Sequence, residues 1–213
     1  MGIDKILVYK EKEHGKLGLG VKVVDRTATL SELLKAWEPL ADDPQVVKKY
    51  ATEDGACKGC FNNCCNSAFV IPDLVSFKAM CRETGQTPEE FMESALDHSW
   101  GAKGIPRLRY SPCLFLRDRV CSIYPARSLI CRFYLCTELL GDTEELVYSV
   151  VTSGISATFI YLENEGLIKS GKGLTGFDSS LLELVAKRRD HPGTQQFIQA
   201  DSYDEILLEP FLP

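Results

Sequence analysis

Cys57, Cys60, Cys64 and Cys65 place four thiols within nine residues, and Cys113, Cys121, Cys131 and Cys136 form a second, looser group. A deprotonated thiol is both a nucleophile and a soft ligand, suited to zinc and to iron–sulphur clusters. Four thiolates complete one tetrahedral zinc site or one 4Fe-4S cluster, so these eight cysteines could fill two such sites. Spacing alone leaves open whether each group builds its own site or the groups interleave. The ninth cysteine, Cys81, falls outside both groups and on an apolar helical face, where a thiol is expected as a small buried hydrophobe.

Within the first group, the turn of Cys57-Lys58-Gly59-Cys60 can aim two sulphurs at one metal, and Gly59 permits close backbone approach. Consecutive side chains in extended backbone diverge, so Cys64 and Cys65 need not serve one metal ion: they could bridge two sites, or one could be a spare reactive thiol. His14, His98 and His191 are each isolated from the cysteines and are not expected as ligands.

The redox compartment decides between metal and disulfide. Met1-Gly2-Ile3-Asp4-Lys5-Ile6 lacks the basic-then-apolar run of a secretory signal. The apolar stretch from Leu146 to Leu162 is interrupted by serines and threonines and is expected to fall short of a membrane span. The expectation is therefore a cytoplasmic protein without a membrane segment, where thiols stay reduced and meet metals rather than one another.

Charge is uneven. The chain carries −6 overall, yet residues 101–136 hold seven basic residues against Asp118, giving +6 there and −12 elsewhere. Two readings follow. Arginines of this segment, Arg127 and Arg132 foremost, could offset the negative charge of a thiolate site and so bind the cofactor electrostatically. Alternatively the segment faces outward and receives a protein partner or an anionic substrate. Nucleic acid is disfavoured, because the flanks are acidic and no nucleic-acid-binding motif is present.

Several elements must position these residues. Ile6 to Tyr9 and Leu19 to Val24 read as a hairpin. Thr29 and Glu32 form a capping box for a helix to about Pro39, and a further helix is expected from Pro44 to Ala51. Asp73 caps a helix carrying Leu74, Phe77, Met80 and Cys81. Thr87, Pro88 and Glu90 open another, to about His98. Cys113 to Tyr124 reads as a small hairpin, then a helical turn into Cys131. Thr143 to Glu165 is the expected long core helix, stopped by Gly166, and Ser179 to Arg188 the last helix. His191-Pro192-Gly193 reads as a helix stop, and the apolar tail from Leu207 to Pro213 is expected to dock on the body. The predicted fold is α+β and mostly helical, one domain over residues 1–213. It has a small N-terminal hairpin and a metal-pinned cysteine region at 57–136 packed on the long helix.

The pattern CxxCxxxCC, followed by Cys113, then Cys121-Ser122-Ile123-Tyr124 and Arg127 leading to Cys131-Arg132-Phe133, resembles the YkgJ-like cysteine-cluster family, a zinc- or iron-chelating domain. The resemblance covers about Cys57 to Cys136. It implies Cys57, Cys60, Cys64, Cys65, Cys113, Cys121 and Cys131 as ligand positions, with Cys136 added on spacing. Relatives tend to carry Arg-Pro after the tyrosine, whereas this chain has Arg127-Ser128, with its proline at Pro125.

The leading functional expectation is a metalloprotein with one or two 4Fe-4S clusters, serving electron transfer or the maturation or modification of a partner, with an iron–sulphur oxidoreductase as one form. A zinc-stabilised binding module is the alternative. A protein lysine methylase using S-adenosylmethionine rests only on a likeness to flagellin lysine N-methylases. Neither a glycine-rich strand-turn-helix signature nor the radical CxxxCxxC pattern is present, and Gly171-Lys172-Gly173 reads as a linker. No Gly-x-Ser-x-Gly elbow occurs, so hydrolysis finds no support.

Overall fold

The structure is a computed structural model, and it describes residues 5–13, 16–43, 58–60, 64–169, 171, 174 and 176–213. The expected helix from Pro44 to Ala51 and Cys57 lie outside the described residues. As expected, the fold is α+β and mostly helical, with a small hairpin at its N-terminal end.

Strands β1 (Ile6–Glu13) and β2 (Lys16–Val23) pair antiparallel in the register Ile6↔Val23 to Glu13↔Lys16. A third strand, β5 (Glu138–Leu139), pairs parallel to β2 at Gly18↔Glu138 and Leu19↔Leu139, so the stretch just after Cys136 is pinned to the hairpin. Leu19 is fully buried there.

Helix α1 (Leu30–Trp37) starts on the expected capping box: Thr29 Oγ1 accepts from the Glu32 N–H, and the Glu32 carboxylate accepts from the Thr29 N–H at 2.8 Å. A 3-10 turn, Glu38–Asp42, continues it. Helix α2 (Leu74–Thr84) starts at Asp73, and α3 (Pro88–Ala95) starts on the second capping box, with Thr87 and Glu90 reciprocally bonded. The chain breaks out of helix at Leu96 and re-forms a single turn, α4 (His98–Gly101), capped by Asp97.

The long helix is α6 (Thr143–Asn164), one residue shorter than expected. It is long and apolar enough to cross a membrane by length and composition, so the interrupting serines and threonines do not disqualify it as expected. Burial decides its role instead: 72% of its apolar window lies inside the protein, as befits a core helix. Its hydroxyls stay satisfied by bonding back along the helix, Thr152 to Tyr148 and Ser156 to Thr152. Against it pack α2, α5 (Leu129–Phe133), α7 (Phe177–Arg188) and α8 (Pro192–Gln199). Gly154 lets two neighbours come close: an added Cβ would stand 2.6 Å from Asp73 Cβ and 3.1 Å from the Phe197 ring.

Helix α8 corrects the reading of His191-Pro192-Gly193 as a stop. His191 Nδ1 accepts the Gly193 N–H at 3.1 Å, and Pro192 occupies the first helical turn, where it needs no donor. The tail docks as expected. Ile206 and Leu208 are fully buried, and the Leu30 and Leu208 N–H groups exchange bonds with Ile206 and Ala28 across it.

Candidate metal centre

The first cysteine stretch is a pair of tight turns. Gly59 has φ +88°, a conformation that a side chain would strain, and it delivers the buried Cys60. Cys64–Asn66 form a 3-10 turn whose Cys64 carbonyl accepts the Ser67 and Ala68 N–H groups at 3.1 and 2.9 Å. This corrects the expected divergence of Cys64 and Cys65. A helical turn separates consecutive side chains by roughly 100–120°, less than a strand does, and the two thiols hydrogen-bond to each other.

The second stretch is tied to the first by main chain: the Cys113 N–H donates to the Cys65 carbonyl at 2.8 Å. Strands β3 (Leu116–Arg117) and β4 (Val120–Cys121) then form the expected small hairpin, with Cys121 opposite Leu116. Its two-residue tip, Asp118 and Arg119, has φ +45° and +65°, the left-handed pair that a two-residue hairpin turn demands. Phe115 anchors the hairpin by stacking on Phe91 of α3 at 6.3 Å. Beyond a 3-10 turn at Tyr124–Ala126, α5 carries Cys131, whose N–H donates to the Ser128 carbonyl at 2.9 Å. All eight described cysteines are free thiols.

The thiols feel one another. Cys65 is pushed far up by its hydrogen bond to Cys64, by burial, and by the charges of Cys64, Cys131 and Cys113. Its partner Cys64 falls to about 7, held there by the bond from Cys65, backbone N–H groups and the Arg127 charge. Burial pushes Cys131 up to about 12, helped by Cys113, Cys64 and Cys121. Cys113 and Cys121 are raised by burial too, and each also feels a neighbouring thiol. Cys136 is raised by burial and then by Cys64 and Cys60. Two overlapping neighbourhoods result, each drawing on both stretches of chain, with Cys64 in both. Cys81 stands apart. Burial raises it to about 11, and the charges it feels are those of Arg82 and Glu89.

Arg127 and Arg132 differ in what they touch. The Arg127 charge favours the thiolates of Cys64, Cys121 and Cys131, and its guanidinium lies 3.4 Å above the Tyr124 ring. Lys58 approaches the same ring at 5.2 Å, so Tyr124 joins the first cysteine turn to the second. Arg132 instead donates to Glu38 at 2.7 Å and sits 5.4 Å over the Tyr203 ring. Glu38 also pairs with Arg127 at 3.8 Å, and Lys103 with Asp178 at 2.9 Å, so acids from the flanks neutralise part of the basic segment. Arg107 is buried among Phe69, Trp100 and Tyr110, its guanidinium carbon 3.5 Å from the Tyr110 ring centre. Arg109, Arg117 and Arg119 remain at the surface.

As the side chains stand, no three cysteine, histidine, aspartate or glutamate residues among the described residues are arranged to hold a metal ion. Cys65 holds its proton and gives its hydrogen bond to Cys64. The donor set nonetheless fits a thiophilic metal in its chemistry: sulphurs from both stretches lie in one another's fields, and Arg127 favours their charged form.

Two contributors escaped the sequence reading. Glu38 reads as the end of α1, and nothing local marks it as a partner of two arginines from the cysteine region. Asp73 is legible as a helix cap, yet its second oxygen also accepts the Leu129 N–H at 2.9 Å, at the start of the helix that bears Cys131.

Residues 56–150 match the family model described as "CxxCxxCC: Putative zinc- or iron-chelating domain". Over that segment, which contains all eight grouped cysteines, the chain is similar to this family, consistent with the YkgJ-like resemblance. No curated protein and no solved structure matches the chain significantly.

Proposed function

We propose that the chain is a cysteine-cluster metalloprotein of a reducing, cytoplasmic compartment, whose thiols from both stretches hold one or two 4Fe-4S clusters for electron transfer or for maturation or modification of a partner. The observation that carries this reading is the neighbourhood of Cys64, Cys65, Cys113, Cys121 and Cys131, where the charges that raise these thiols, among the described residues, are those of other cysteines. Cys60 and Cys136 adjoin it through Cys64, and Cys57 completes the set by sequence. A bound cluster supplies one-electron chemistry. The chain's own residues supply the rest. Arg127 stabilises negative charge at the sulphurs, which favours the reduced, more negative state. The exposed Arg109, Arg117 and Arg119 flank this region and would meet an acidic partner or anionic substrate.

A zinc-stabilised binding module is the second reading, favoured by how the thiols are held. They sit on short turns tied together by main-chain bonds, where a closed zinc site would contribute folding energy without doing chemistry. Anaerobic purification with iron, sulphide and zinc analysis separates the two. Brown protein with about four iron and four sulphide per cluster supports the first. Colourless protein holding only zinc replaces it with the second.

A further inference from the structure

We propose that Asp73 is a positioning residue for the cysteine centre, acting through α5 and Cys131, with Tyr203 as its lock. The inference rests on the metal-binding reading above. Asp73 is 1% exposed, and no ion pair among the described residues involves it. Its carboxylate is satisfied by hydrogen bonds alone. Oδ1 accepts the Ser76 N–H at 3.0 Å and the Tyr203 hydroxyl at 2.9 Å. Oδ2 accepts the Ser76 hydroxyl at 2.7 Å, the Leu129 N–H at 2.9 Å and, more distantly, the Ser128 hydroxyl at 3.4 Å.

Capping α2 needs only one of these bonds, the one to Ser76, and serine, threonine or asparagine would serve. What the carboxylate adds is a second acceptor. That oxygen holds the first N–H of α5, a helix whose own preceding residue, Ser128, makes no side-chain cap. Cys131 lies one turn at most from that anchor, with its N–H on the Ser128 carbonyl, so the placement of its sulphur follows the placement of the Asp73 carboxylate. Asparagine cannot replace it. Its amide NH2 would face a backbone N–H whichever way it turned, that of Leu129 at one oxygen's place or that of Ser76 at the other's, and a buried donor facing a donor loses the bond.

Tyr203 sets the other oxygen. Its hydroxyl reaches Asp73 from the C-terminal segment, while Arg132 of α5 lies over its ring at 5.4 Å. The C-terminal segment thereby touches α5 twice, once through Asp73 and once through Arg132.

The test is cobalt(II) binding, read by thiolate-to-cobalt charge-transfer absorption and by competition with a chelator, in wild type, Asp73→Asn, Tyr203→Phe and Thr87→Ala. Thr87→Ala removes a cap on α3, away from α5, and controls for lost stability. Asp73→Asn should weaken cobalt affinity by about tenfold or more and alter the charge-transfer band, with helicity retained. Tyr203→Phe should shift both in the same direction by less, and it decides the matter if Asp73→Asn does not fold. Wild-type affinity and spectrum in Tyr203→Phe and Asp73→Asn, or losses no larger than in Thr87→Ala, overturn the role of Asp73 alone. A wild type that binds no cobalt overturns the metal-binding reading together with this one.

Discussion

The N–H of Cys113 donates to the carbonyl of Cys65 at 2.8 Å, so two cysteine stretches far apart in sequence share a main-chain bond beside their sulphurs. Loop closure between them is thus met by the protein fold rather than left to a metal.

Substituting Cys60 or Cys121 by serine should lower the bound metal and the melting temperature together. Cys81→Ala should keep the full metal load while costing about 1 kcal/mol for the lost packing of a small buried side chain. Metal analysis beside thermal melts of the three variants checks this. Equal metal loss in all three would show that the thiols are divided wrongly.

In metal-free protein, Cys64 should be half ionised near pH 7 and should be the thiol alkylated first at neutral pH. Its bond from Cys65 is the largest cause, so Cys65→Ala should move the midpoint upward most, and Arg127→Gln should move it upward by less. Alkylation rates followed by peptide mass spectrometry give the midpoints.

The metal-free protein should lose stability as pH rises from about 9. Cys81 and Cys131 are raised to about 11 and about 12 from an ordinary value of 9.0, so the folded state holds protons that the unfolded chain releases. Stability is therefore fully present below pH 9 and declines through pH 11 to 12. Urea midpoints across this range test the sign. A midpoint that rises with pH would contradict it.

Gly154→Ala should destabilise despite alanine's better helix propensity. The propensity gain is roughly 1 kcal/mol. Against it, the new methyl group meets Asp73 Cβ at 2.6 Å and the Phe197 ring at 3.1 Å, an overpacking worth about 1–3 kcal/mol. Because the displaced atom belongs to Asp73, metal affinity should fall along with the melting temperature.

Where a signal is local, the sequence was legible. Thr29 with Glu32, Thr87 with Glu90, and Asp73 before its apolar stripe each mark a helix start, and all three form. The long helix needed only its apolar stripe. Strand β5 was not legible, because two residues carry no periodicity and their parallel partner in β2 is distant in sequence. Helix α8 was hidden by His191-Pro192-Gly193, a breaker by composition that here supplies a cap. At the candidate centre, the number and grouping of thiols could be read directly. The hydrogen bond between Cys64 and Cys65, the grip of Glu38 on Arg132 and the second oxygen of Asp73 could not, since each depends on which loops the tertiary fold brings together.

The most direct measurement is X-ray absorption at the edge of the metal carried by anaerobically purified protein, in wild type and in a Cys64→Ser/Cys113→Ser variant. The account predicts a first shell of sulphur alone, at about 2.3 Å, and its loss when one thiol from each stretch is removed. A shell dominated by nitrogen or oxygen, or an unchanged sulphur shell in the double variant, would contradict it.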